Sequence, residues 1–161
     1  MCARLTGADG QDSLIDVERL GFTDMSLAMD LAHTDSAGGT ALLIGAVLGV
    51  SALRVKKDLI GTVLGLIDQG FTLPVLAGAV MRLPIWALLA GGNDNAATAS
   101  YLLTNVNGHA PEVATLASAV DALNHESGVS QGDFLFKLSQ TAANQATINL
   151  VGLAETGLEY I

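Results

Sequence analysis

The chain has 161 residues, half of them apolar, with sixteen acidic against seven basic side chains and a formal charge of −9. That length and apolar share suffice for a core without disulfide or metal staples, and the lone Cys2 can form no internal disulfide. The charge repels phosphate backbones and anionic bilayers, so nucleic acid is not an expected partner. Six of the basic residues fall between Arg4 and Arg82 and only Lys137 follows, which leaves the C-terminal half acidic.

Residues 1–31 differ from the rest. Gly7, Asp9, Gly10 and Asp12 make a turn-rich start, after which Leu14, Ile15, Val17, Leu20 and Phe22 lead to a Thr23-Asp24 turn. Beyond the turn, Leu27, Met29 and Leu31 alternate with Ser26, Ala28 and Asp30. Period-two alternation on both sides of a polar turn predicts a short β-hairpin or β-arc. No basic segment followed by an apolar one opens the chain, so a cleaved secretory signal is not expected. The run G-A-D-G-Q-D-S-L with the following IDVERLGFTD resembles the last turn of RTX calcium-binding β-rolls and the segment after it in secreted bacterial proteins, over about residues 7–31. By that resemblance the chain reads as the end of a longer protein, with Asp9 and Asp12 as calcium-ligand candidates. A calcium site takes roughly six to eight oxygens, and RTX sites form between adjacent turns of the repeat. One degenerate turn with two carboxylates falls short, so solvated turn aspartates and no bound cofactor are expected.

Residues 32–40 (AHTDSAGGT) read as a linker, with Asp35 or Ser36 able to cap the next helix. Ser36 to Leu53 carries no charge, but its apolar part, ALLIGAVLGVSAL, is 13 residues. A bilayer core requires roughly 20, so a buried helix is expected rather than a membrane span. Gly45-Gly49 and Gly61-Gly65 have a spacing that lets helices cross closely. Pro74, two residues after the N-cap candidate Thr72, suits a helix start, whereas Pro84 ends or kinks a helix before Ile85 to Leu89.

An internal repeat runs from here. Leu42 to Gly49 aligns with Tyr101 to Gly108 at an offset of 59, while Gly70 and Thr72 align with Gly128 and Ser130 at 58. In the second copy, helical spacing covers Leu102, Leu103 and Val106, then Leu116 to Leu123, then Phe134, Leu135 and Leu138 behind the N-cap Ser130. The fold class expected is mainly α, a bundle of about six helices from two repeats of about 58 residues, at roughly 41–93 and 94–149, with a tail at 150–161.

The segment LLTNVNGHAPEVATLASAVDALNHESGVSQGDFLFKLSQTAANQA resembles a helical domain of unknown function found in phycobilisome-linker-like proteins and at the C-terminal ends of many RTX-type secreted bacterial proteins. The resemblance lies in the Gly108-His109-Ala110-Pro111-Glu112 turn and the Ser139 to Asn144 helix end. Ala119-Val120 stands where that family has Tyr-Trp, so its aromatic packing is not implied here. No catalytic residue is carried over.

Gly128-Val129-Ser130-Gln131-Gly132 matches the hydrolase pattern G-x-S-x-G, but a nucleophile elbow needs a preceding strand and a later histidine base. No histidine follows His125. His109 and His125 bracket a helix that sets them roughly 20 Å apart, too far to share a metal. The expectation is therefore a noncatalytic C-terminal module of a secreted or cell-surface bacterial protein, with type I secretion machinery or a surface protein as partner. The alternative is a self-assembly or protein-interaction module, a homo-oligomer packing through Gly- and Ala-rich helix faces. The acidic tail, without a basic side chain after Lys137, reads either as an export signal or as a final helix whose Leu150, Val151, Leu153 and Leu158 complete the core.

Overall fold

The computed structural model describes residues 2–7, 10–126 and 128–161, with backbone alone for 2–7 and 12–15. The chain is mainly helical, with two small antiparallel sheets. Strands β1 (Cys2–Gly7) and β2 (Gly10–Ile15) pair as a hairpin that closes on Gly7 and Gly10. This pairing is antiparallel, whereas the strands of a β-roll run parallel. Strands β3 (Arg19–Gly21) and β4 (Ser26–Ala28) flank the expected Thr23-Asp24 turn, which the Phe22 N–H closes onto the Met25 carbonyl at 2.8 Å.

Helix α1 (Ser36–Leu48) is the axis of the fold, buried from Ala37 through Val47. A helix buried all round has no polar face, so it carries little of the amphipathic signal that marks a surface helix. Its Leu42 and Ile44 join Leu31, Ile60, Leu64 and Leu158 in one apolar cluster, and its Leu43 and Val47 join Trp86, Leu102 and Leu135 in a second. The stretch expected as a linker is thus partly core. Ala37 to Thr40 are buried in the first turns of α1, and a Cβ on Gly38 would lie 2.0 Å from the Ala32 carbonyl oxygen. Neither expected cap holds that helix end. Asp30 accepts the Ala37 N–H at 3.2 Å while its other oxygen pairs with Arg19. Asp35 sits at the N-cap without a side-chain hydrogen bond.

The helices fall into the two stretches of the expected repeat as follows. The first copy holds α1, α2 (Ala52–Val55), α3 (Lys57–Asp68), α4 (Leu73–Val80) and α5 (Trp86–Ala90). The second holds α6 (Asn95–Asn107), α7 (Val113–His125), α8 (Gln131–Ser139) and α9 (Ala142–Thr147). Helices α1 and α6 are both 13 residues and end at Gly49 and Gly108, preserving the offset of 59. Equivalent helices pack on each other, α1 on α6 and α4 on α8. Asn105 of α6 donates to the Ala46 and Val47 carbonyls at 3.1 and 3.0 Å, satisfying acceptors that the last turn of α1 leaves open. The α4–α8 crossing depends on paired glycines, since a Cβ on Gly132 would stand 2.7 Å from the Gly78 Cα. The expected six helices are α1, α3, α4, α6, α7 and α8. Of the remaining four helices among the described residues, α10 (Leu150–Thr156) corresponds to the final helix that the tail allows, and α2, α5 and α9 are short, with too few turns for a period to register.

The copies differ in their caps. In the second, Asp94, Ser130 and Thr141 each accept a backbone N–H at a helix start, and Ser130 forms a full capping box with Asp133. Thr72 has the extended N-cap backbone but makes no side-chain hydrogen bond. Ser130→Ala is accordingly expected to cost about 1 kcal/mol and Thr72→Ala much less, as chemical denaturation of the two variants would show. The Ser130 hydroxyl and then its backbone N–H, with a smaller contribution from Lys137, hold the Asp133 carboxyl below its ordinary value of 3.8. A depressed folded value stabilises fully above the unfolded pKa and is lost as pH falls through the folded one. Ser130→Ala therefore loses the part of its destabilising effect that comes from the Asp133 carboxylate progressively below about pH 4, while the part that comes from the uncapped Asp133 N–H remains.

After α9 the chain departs from the repeat. Helix α10 (Leu150–Thr156) leads into β5 (Leu158–Tyr160), which pairs antiparallel with β4 in a three-stranded sheet of order β3-β4-β5. Leu158 and Leu150 are buried, whereas Val151 is 79% exposed and not a core residue as expected. Ala28 and Leu31 share one apolar cluster with α1, α3 and Leu158.

Candidate functional site

The residues singled out in the sequence do not converge. Asp9 lies outside the described residues, and Asp12 stands opposite Leu5 in the β1–β2 ladder. Among the described residues no three His, Cys, Asp or Glu side chains are grouped as metal ligands. His125 meets Asp121 one turn earlier at 2.9 Å, both well exposed, and the His109 Nδ1 lies 3.0 Å from the Ala110 carbonyl. Ser130 is the cap of α8, its Oγ donating to Asp133 Oδ2 at 2.6 Å and accepting the Asp133 N–H at 3.1 Å. No helix of the described residues is long and apolar enough to cross a membrane.

Two surface features remain. The first is the α4–α5 corner. Phe71, Val75, Leu83, Ile85 and Leu88 are all exposed large apolar residues, Leu88 at 81%. Ile85 and Leu88 stand one turn apart, the Leu88 N–H donating to the Ile85 carbonyl at 3.1 Å. The corner is braced from beneath by Trp86, which is 1% exposed, sets its ring edge-on to Tyr101 at 5.7 Å and donates to Thr98 Oγ1 at 3.3 Å. From Gln69 to Asn93 the sequence contains no acidic residue, and Arg82 is its only charge. On a chain of net charge −9, this is a segment rich in exposed apolar side chains and free of carboxylates.

The second is a cleft of about 520 Å³ between the α2–α3 region and the segment from Ile148 to Glu159. Leu53, Ile148 and Leu158 make its apolar floor, and Arg54, Lys57 and Asn149 stand on its rim. Lys57 Nζ pairs with Glu159 at 2.5 Å. Arg54 and Lys57 lie close together in the sequence, but their place on one cleft with Asn149 is not legible there, because it depends on how α10 and β5 return to α3.

No family model, no curated protein and no solved structure matches the chain.

Proposed function

We infer that this chain is a noncatalytic module that associates with copies of itself through the α4–α5 corner, and that it serves within a secreted or cell-surface bacterial protein. The observation that carries the association is the coincidence of five exposed large apolar side chains with a stretch free of acidic residues. Burying apolar surface contributes about 25 cal/mol per Å². Two copies meeting at this corner gain that contribution through a segment, residues 69–93, that has no carboxylate of its own. Several of the glycines on the Gly- and Ala-rich faces are used inside the fold. Gly39 admits Leu73, Gly45 admits Ile148, and Gly61 lies against the Ile161 carbonyl. The secreted or surface setting is supported by the resemblance of residues 7–31 to RTX tails.

Light scattering of the eluting protein tests the association. The wild-type chain is expected to shift from monomer towards dimer with rising concentration, and Leu88→Asp to remain monomeric with its melting temperature unchanged. A wild type that stays monomeric throughout, or a Leu88→Asp variant that dimerises equally well, refutes the corner as the contact.

A further inference from the structure

We propose that the cleft between α2–α3 and α10–β5 binds a small amphiphilic carboxylate, an acyl or aryl acid whose apolar body lies on the floor and whose carboxylate meets Arg54. A volume of about 520 Å³ is that of a small-molecule site. Its floor is apolar and fixed, Leu53, Ile148 and Leu158 all being buried parts of the core. Its rim carries opposite polarity. Of the chain's seven basic residues, Arg54 and Lys57 both line the cleft, against a background of sixteen acidic ones in the chain. The Glu159 carboxylate also lines the cleft, but Lys57 holds it. Among the described residues no carboxylate pairs with Arg54. Its planar guanidinium is therefore open to a carboxylate, which it matches with two parallel hydrogen bonds.

Asn149 supplies the second polar group. It lies in the left-handed region at φ 54° and ψ 51°, just past the end of α9, where asparagine is favoured after glycine and its N–H bonds back to the Ala146 carbonyl at 3.0 Å. Gly152 makes room for its amide, since a Cβ there would lie 2.2 Å from Asn149 Nδ2. The backbone thus holds an exposed amide on the rim that Arg54 and Lys57 share. An amide N–H₂ donates to the second face of a bound carboxylate, which a neutral alcohol of equal length offers less well.

Sodium decanoate and 1-decanol, titrated into the full chain labelled with nitrogen-15, test the proposal. With decanoate, amide shift changes are expected to cluster in residues 50–57 and 148–159. Arg54→Gln is expected to weaken decanoate about tenfold or more. Asn149→Gly keeps the left-handed backbone conformation, so it is expected to leave the fold about as stable while weakening decanoate severalfold. Decanol is expected to bind the wild type no better than decanoate binds Arg54→Gln. Shifts centred on residues 71–88, decanoate titrations unaffected by Arg54→Gln, or no shifts below the micelle concentration would each overturn the assignment.

Discussion

Deleting Leu158 to Ile161 is expected to lower the thermal midpoint by about 10 °C, far more than the loss of four frayed residues. The deletion removes β5 and its three pairings with β4, the Lys57–Glu159 ion pair and the hydrogen bond from the Ile161 N–H to the Lys57 carbonyl. Above all it removes Leu158, 1% exposed, from a cluster shared with Leu31, Ile60 and Leu64. Emptying a buried leucine site costs about 2–5 kcal/mol. In a chain of this size each kcal/mol shifts the midpoint by about 2–4 °C. The exposed ion pair adds little to that sum. A midpoint within a degree or two of wild type would show that the strand is dispensable. Exporting a reporter fused upstream of the truncated chain adds a second readout. Lost export with an intact midpoint would assign the tail to the exporter, whereas a lowered midpoint with export retained would leave it purely structural.

The second large effect is expected at Gly38. Gly38→Ala puts a methyl group 2.0 Å from the Ala32 carbonyl oxygen and 2.7 Å from its carbon, both backbone atoms that no side-chain rotation can remove. Alanine gains about 1 kcal/mol over glycine in a helix interior. Forcing an extra carbon into a packed site costs about 1–3 kcal/mol and occasionally more, and contact with backbone belongs at the upper end. The net result is a loss of about 2 kcal/mol, and with it the register of Asp30 against the start of α1. Gly65→Ala is the control. Nothing lies within 4 Å of that Cβ position, so the propensity gain stands alone and the variant is expected to be more stable than wild type. Equal stability of the two variants in urea would contradict the packing described for α1.

Gly38 also shows why part of the fold was hidden in the sequence. In residues 32–40, Ser, Thr, Asp and Gly carry the composition of a linker, and nothing in that composition distinguishes solvent from a crowded helix crossing. Because α1 is buried on every side, its small residues answer to the close approach of residues 31–32, Leu73 and Ile148 rather than to a helical period. The repeat was legible for the opposite reason. Gly49 and Gly108 end their helices at positive φ, and that local requirement marks the sequence directly. Ser130 was legible as a cap, yet the same reasoning placed Thr72 beside it, where the side chain makes no such bond. Asp30 went unrecognised because it caps from seven residues away, through a turn the sequence does not announce. Neither surface site could be read in advance. An apolar residue in a short helix gives no indication of which side it faces, and the cleft joins residues about one hundred positions apart.

The association through the α4–α5 corner is tested most directly by amide hydrogen exchange of the wild-type chain at low and high protein concentration. The account predicts that exchange slows with concentration in residues 71–90, including the exposed turn that carries Leu83 and Ile85, and that the same segment shows no such slowing in Leu88→Asp. Protection that grows instead along α7 or over the β3-β4-β5 sheet, with residues 71–90 unchanged, would contradict it.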